Sequence, residues 1–296
     1  MPTAALIVNP FSTRVTERGL EAVQRALEPY ARIETIATSR RAHATELARE
    51  AANNHDAVLV FSGDGVFNEV VNGIDRPVPL GFIPGGWTNV LPRALGLPRD
   101  PVAAARRIGE ALEAGRTRSI SLGRVNGRRF TFAAGVGADA ELIRAIERRG
   151  RDQHGRLPGD LTVVWLLARQ FAHRRGRYDT CLQIEGLGRA AFAMVANGHP
   201  YTYAGPFALH FAPRARFELG LDVVGPVCIE PRSLASFTWR GVRGRTQGKG
   251  FLYGHDLDRI RIFCDRPLPL QVDGEDLGDV REAEFEAERD AVKVLV

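Results

Sequence analysis

The first 115 residues alternate between short apolar runs and longer amphipathic stretches. "AALIVNP", "IETIATS", "DAVLVFSG" and "VPLGFIPGG" have the length and side-chain types of strands. Between and after them, "TERGLEAVQRALEPYA", "AHATELAREAANN", "FNEVVNGI", "NVLPRALG" and "PVAAARRIGEALEAG" read as helices. Strands alternating with helices predict a parallel sheet covered on both faces, with ligands at the carboxyl ends of its strands. From about residue 119 the pattern changes. "SISLGRVNGRRFTFAAG" predicts a hairpin around Asn126-Gly127, and a helical stretch follows between about residues 139 and 174. Beyond it come short apolar segments broken by Gly and Pro, among them "TCLQIEG", "AAFAMVANG", "LGLDVVG", "RIRIFCD", "LPLQVDGE" and "AVKVLV". The pattern predicts an α/β domain over residues 1–118 and a mostly antiparallel, β-rich domain over residues 119–296.

Composition adds little to this picture except exclusions. Apolar residues make up 44% and charged residues 25% of the 296 positions, as in soluble globular chains. The longest apolar run, "LTVVWLLA" at 161–168, is far short of the ~20 residues that cross a bilayer. The start, "MPTAALIVNP", reads as a first strand without a basic leader, so a cytoplasmic protein is expected. Cys181, Cys228 and Cys264 are too few and too scattered for a disulfide framework or a zinc site, and are expected to be core thiols. The net charge of +5 is carried almost entirely by arginine, since Lys249 and Lys293 are the only lysines, and no nucleic-acid partner is expected.

Candidate chemistry sits where strands run into glycines. In "VLVFSGDGVFNEVVNG", Gly63 and Gly65 allow a tight turn and a close backbone approach, and the following helix points its free N–H groups at the same spot. Such a corner suits a phosphate, and Asp64 inside it suits a divalent cation or a proton transfer. The next strand repeats the arrangement in "IPGGWTNV", with Thr88 or Asn89 placed to cap the helix after it. No Walker loop exists, because Gly248-Lys249 lacks the earlier glycine and the following Ser or Thr. "GVGADA" at 135–140 matches a dinucleotide fingerprint in form only, since a hairpin strand precedes it and antiparallel pattern follows. In "LQVDGEDLG", Asp273 and Glu275 are alternate residues of an extended segment and can face one point as base or metal ligand; a charged hairpin turn explains them equally well. The arginine clusters at 144–151 and 172–177 bracket the apolar "LTVVWLLARQF", a pattern compatible with an anionic membrane surface or with a core helix whose ends are solvated.

Taken together, these motifs resemble the diacylglycerol kinase catalytic family, including its bacterial members and the sphingoid-base kinases. "NPFST", "SGDGVFNEVVNG", "PGGWTNVLPRALGLP", "GVGADAELI", "VANGHPYTYAG" and "VDGE" stand in the family's order along the whole chain. The resemblance implies an N-terminal nucleotide-binding α/β domain of the NAD-kinase and diacylglycerol-kinase type and a C-terminal β-sandwich that takes the lipid, with ATP in the cleft between them. It implies Mg²⁺-dependent transfer of the γ-phosphoryl group to a lipid hydroxyl, most often that of diacylglycerol, by a protein that is peripheral at the inner membrane surface; a homodimer is left open. Carried over by position, Asn9, Pro10, Ser12, Thr13, Thr38, Gly63, Asp64, Gly65, Val66, Asn68, Glu69, Gly85, Gly86, Trp87, Thr88 and Asn89 would line the nucleotide. Glu275 would be the proton acceptor with Asp273 its competitor, and Asp64, Glu275 and Glu218 would serve Mg²⁺. The departures are Ser62, Val66, Trp87, Val90 and Ser121, where the family has Gly, Thr, Thr, Asp and an acid. The first two also suit the sphingoid-base branch, and the last three point to a homologue that binds nucleotide or lipid without turnover. A kinase of NAD shares the Gly-Asp-Gly corner.

Overall fold

A computed structural model describes residues 1–150, 160–204 and 207–296, and divides the chain into two compact units: residues 1–121 with 290–296, and residues 122–289.

The first unit is α/β, built in the order β1 (Thr3–Val8), α1 (Glu17–Leu27), β2 (Arg32–Ala37), α2 (His43–Asn54), β3 (Ala57–Ser62), α3 (Asp64–Gly73), β4 (Leu80–Pro84), α4 (Val90–Ala94) and α5 (Pro101–Glu113). The strands pair in parallel in the order β2-β1-β3-β4. β1, β3 and β4 are almost wholly buried, which is why they read as continuous apolar runs, whereas β2 at the edge is mostly exposed. Thr16 caps α1 by accepting from Gly19 N–H, and Asp100 caps α5 from Ala103 N–H. One assignment is corrected here. "AVKVLV" belongs to the first unit, since Val294 pairs in parallel with Leu80 of β4 and Val292, Val294 and Leu295 are buried.

The second unit continues β5 (Thr117–Val125) through β6 (Arg128–Phe130), β7 (Ala133–Val136), α6 (Ala138–Arg149), α7 (Asp160–His173), β8 (Leu182–Ile184), β9 (Gly188–Ala190), β10 (Ala193–Ala196), β11 (Thr202–Ala204), β12 (Phe207–Leu209), β13 (Leu221–Pro226), α8 (Leu234–Val242), β14 (Phe251–Leu257), β15 (Arg259–Val272) and β16 (Glu275–Leu295). β7 lies between β10 and β15, antiparallel to both, so the glycine-rich "GVGADA" does not open a parallel unit. β13 and β14 extend the sheet beyond β10, also antiparallel. Phe130 and Phe285 meet edge to face at 6.3 Å in a core shared by β6, β7, β10, β13, β15 and β16. The two apolar segments 259–264 and 268–272 are one strand, its register interrupted between Phe263 and Leu268. Not every cysteine is a core thiol: Cys228 is exposed, while burial pushes the thiols of Cys181 and Cys264 up, the latter to about 11.

Candidate active site

In the first unit three loops leave the carboxyl ends of β1, β3 and β4 and are tied to one another. Ser12 and Ser62 hydroxyls lie 2.8 Å apart, Arg14 N–H donates to Gly85 C=O, and Gly85 N–H donates to Ser62 C=O at 2.6 Å. A Cβ on Gly86 would sit 2.7 Å from Gly63 Cα, and one on Gly63 would sit 3.2 Å from Gly86 Cα. The two glycine corners therefore approach backbone to backbone: a side chain at 86 would collide with Gly63, and one at 63 would require Gly86 to give by a few tenths of an ångström. This close approach, rather than an unusual turn conformation, is what position 63 requires, since its φ is −101°. Asn89 holds the second corner closed: its carbonyl accepts from Gly86 N–H and its amide donates to Gly86 C=O, both at 2.8 Å. It occupies the N-cap position of α4 but makes no side-chain cap there.

The cap of α4 comes instead from Asp64. Its carboxylate accepts from Val90 N–H at 2.9 Å and from Leu91 N–H at 3.1 Å, so the acid of the first corner satisfies the open end of the helix after the second. Glu69 does the same for α2, accepting from Ala42 and Ala44 N–H, where Ala42 has a left-handed φ of 61°. Asn68 is buried and accepts from the Asn72 side chain. Thr38 is buried at the end of β2, its N–H on Val8 C=O. Asn9 closes its own loop by accepting from Phe11 N–H. Of the residues expected to line a nucleotide, Asn68 and Glu69 thus have structural partners within the unit. Those at the loop junction are Ser12, Gly63, Gly85, Gly86 and Asn89.

Trp87 stands on this junction with 62% of its surface exposed, and Phe11 on the neighbouring loop is 81% exposed. The indole neither fills the core nor plugs the loops that carry it. Trp87→Thr is therefore expected to leave the melting temperature unchanged, because nothing packed is removed. The same substitution is expected to abolish any quenching of tryptophan fluorescence on addition of ATP, which a fluorescence titration reads directly.

In the second unit Asp273 and Gly274 form the turn between β15 and β16, both with positive φ, 48° and 83°. Asp-Gly is the pair this two-residue turn demands. The Asp273 carboxylate points inward and is fully used. Oδ2 accepts from Thr131 N–H and Oγ1–H at 2.7 and 2.8 Å, and Oδ1 from Phe132 and Ala133 N–H at 3.0 and 3.1 Å. Burial pushes its pKa up, and the hydrogen bonds from the 131–133 backbone oppose the shift. These four bonds make Asp273 the anchor of the turn. Glu275, one residue past the turn, has 38% of its side chain exposed and pairs with Arg128. Asp276 beside it is gripped by Arg144 from α6 at 2.6 and 2.9 Å, which holds its carboxyl below the usual range.

A buried polar group behind the turn escaped the sequence reading. Gln271 accepts from Gly274 N–H at 3.0 Å and donates to Asp139 Oδ2 at 2.7 Å, and the Tyr201 hydroxyl lies 2.8 Å from the same oxygen. Burial pushes Asp139 up despite these two donors, and pushes Tyr201 well above its ordinary value. Asn197 donates to Thr131 C=O. Three separate motifs, "GVGADAELI", "VANGHPYTYAG" and "VDGE", are thus joined by side chains that have no spacing signal of their own.

Among the described residues no three His, Cys, Asp or Glu come together to hold an ion, so Asp64, Glu275 and Glu218 do not form or join such a cage. Glu218 is exposed, and Gly220 N–H beside it donates to Asp256 at 2.7 Å. In the apolar segment between the two arginine clusters, Trp165 and Leu167 of α7 are about half exposed and Leu166 is buried; residues 151–159 lie outside the described residues. Among the described residues no helix is long and apolar enough to cross a membrane.

Residues 3–125 match the diacylglycerol kinase catalytic domain. A diacylglycerol kinase of Bacillus subtilis (strain 168) is 36% identical over 163 residues, 53% of this chain and 53% of that protein, so the match spans about half the length of each. A solved diacylglycerol kinase structure from Bacillus anthracis str. Sterne superposes with a TM-score of 0.72 at 20% identity over 99% of this chain and 96% of that one. An NAD kinase from Archaeoglobus fulgidus, solved in complex with ATP, gives 0.53 at 11% identity over 99% and 94%. Three of the six motifs, "NPFST", "SGDGVFNEVVNG" and "PGGWTNVLPRALGLP", lie within residues 3–125, which match the diacylglycerol kinase catalytic domain, and the fold of the chain is similar to that of the Bacillus anthracis structure.

Proposed function

We propose that the protein is a lipid kinase that transfers the γ-phosphoryl group of ATP, with Mg²⁺, to the hydroxyl of diacylglycerol or a related glycerolipid at the inner membrane surface. The observation that carries this reading is the junction of three loops at the carboxyl ends of β1, β3 and β4, closed backbone to backbone at Gly63 and Gly86 within the segment that matches the family. Phosphoryl transfer requires little covalent chemistry from the protein; it requires positioning and neutralisation of charge. The N–H groups at the start of α3 and the bare glycine loops cradle phosphate oxygens. Asp64 holds the second loop in place through α4, and its carboxylate would help to hold the cation, which when bound would neutralise the charge developing on the phosphates. Glu275 accepts the proton of the lipid hydroxyl, and Asp273 fixes the turn that presents it.

The direct test uses purified protein, γ-labelled ATP, Mg²⁺ and diacylglycerol in mixed micelles. Labelled lipid is the expected product, and chelation by EDTA is expected to abolish it. Absence of label in every lipid offered, with NAD labelled instead, would transfer the reading to the NAD-kinase branch. The exposed Trp87 on the nucleotide loop favours one second reading, a homologue that binds ATP without turning it over. Calorimetric ATP binding without lipid or NAD phosphorylation is its signature.

A further inference from the structure

Helix α8 (Leu234–Val242) is fixed to the second unit by one aromatic side chain and turns another outward. Phe237 packs between Phe192 at 6.1 Å, Phe211 at 6.0 Å and Phe251 at 5.4 Å. Trp239, two residues on and so about 200° around the helix, is 48% exposed. The helix stops at Gly244, whose φ of 66° turns the chain back, with Arg245 N–H donating to Arg240 C=O at 2.8 Å. That reversal puts two guanidinium groups over the exposed indole, Arg245 at 5.0 Å from the ring centre and Arg243 at 5.9 Å.

The loop after the helix is held open to solvent by Arg240. Its guanidinium lies 4.6 Å over the Phe251 ring and donates to the carbonyls of Arg245 and Lys249, both at 2.9 Å. Arg240 is thus a structural staple, whereas Arg243, Arg245 and Lys249 stay exposed. Between Ser233 and Gly250 the chain has those four cations and no Asp or Glu. The surface is a shallow depression of about 780 Å³ that also includes Arg214, and among the described residues no carboxylate lines it. A helix C-terminus accounts for neighbouring cations, but not for an indole kept in water between two of them. Indole and guanidinium together match the boundary of an anionic bilayer, where the ring sits at headgroup depth and the cations meet phosphates.

We propose that the surface around Trp239, Arg243 and Arg245 is the face by which the protein docks on an anionic phospholipid bilayer. The proposal rests on the lipid-kinase reading for the source of its ligand. The test is co-sedimentation of the full chain, without nucleotide, with vesicles of phosphatidylcholine alone and with vesicles that also contain phosphatidylglycerol. Binding is expected only to the anionic vesicles and is expected to fall as salt rises. The double variant Arg243→Gln/Arg245→Gln is expected to weaken it by roughly tenfold or more. Trp239→Ala is expected to weaken it as well and to remove the blue shift of tryptophan emission that accompanies docking. All these side chains are exposed, and unchanged thermal melts of the variants check the fold. Equal binding to both vesicle types, or unchanged binding of the double variant, overturns the proposal. Saturable calorimetric binding of inorganic phosphate with no vesicle binding overturns it in favour of a site for soluble anions. A short-chain diacylglycerol dispersed as monomers separates the two readings. The double variant is expected to phosphorylate it as the wild type does; if the wild type labels neither this nor micellar lipid, the kinase reading fails while the vesicle result still stands.

Discussion

Asp273→Asn is expected to destabilise the protein by about 2–4 kcal/mol, whereas Glu275→Gln is expected to leave the thermal melt unchanged and lower turnover by about 10²–10⁴-fold. The two acids are two residues apart on one hairpin, and their environments set them to opposite tasks. Asp273 accepts four hydrogen bonds, two on each oxygen, three of them from consecutive backbone N–H groups at 131–133. An amide in its place turns an NH₂ toward two donors on one side, so buried N–H groups lose their acceptor with no water to replace it. The left-handed φ of 48° suits Asn, so backbone strain does not enter and the loss measures the carboxylate alone. Glu275 presents its carboxylate at the surface, with Arg128 its ion-pair partner, and an exposed pair of this kind contributes little to stability. A denaturant melt and a lipid-phosphorylation assay on the two variants separate the roles. If Glu275→Gln retains full turnover while Asp273→Asn folds normally, both assignments are wrong.

That division of labour was not legible in "VDGE". The turn itself was, because Asp-Gly and Asn-Gly at 273–274 and 126–127 are the pairs that positive φ at both positions selects. The parallel strands were legible for a similar reason: β1, β3 and β4 are buried on both faces and appear as unbroken apolar runs bounded by helices. What the chain does not write locally is where a polar side chain finds its partner. Asp64 caps a helix that begins 26 residues later, and Glu69 caps one that ended 15 residues before it. Either acid in sequence looks like part of a nucleotide or metal site. Asp139, Tyr201 and Gln271 meet across more than 130 residues, and only the fold brings them together. Similarly, "AVKVLV" reads as one more strand of the β-rich half, and its parallel pairing with Leu80 follows from β16 running on beyond the second unit.

Gly86→Ala is expected to disturb the junction of the glycine loops more than the same change at Gly63, Gly65 or Gly85. The added Cβ would stand 2.7 Å from Gly63 Cα and 3.1 Å from Asn89 Oδ1. The first neighbour is backbone, and Gly63 is anchored on one side by buried β3 and on the other by α3, so it cannot swing away as a side-chain tip does. The second neighbour is the oxygen that accepts from Gly86 N–H, so relieving that contact lengthens the bond that closes the corner. Forcing a methyl into such packing costs about 1–3 kcal/mol, and a melt is expected to shift down by several degrees. Whatever relaxation follows must separate the two corners, which carries the loop of residues 85–89 away from α3. Asp64 resists that movement through Val90 and Leu91, so part of the strain passes to the start of α4. ATP affinity is therefore expected to fall at least tenfold by calorimetry, together with the stability. Gly65→Ala supplies the control. A Cβ there meets nothing within 4 Å, so it is expected to keep the wild-type melt, and any loss of ATP affinity in that variant reports contact with the ligand rather than with the protein. If Gly86→Ala binds ATP as tightly as the wild type and melts at the same temperature, the closed junction of the two corners is not what holds the phosphates.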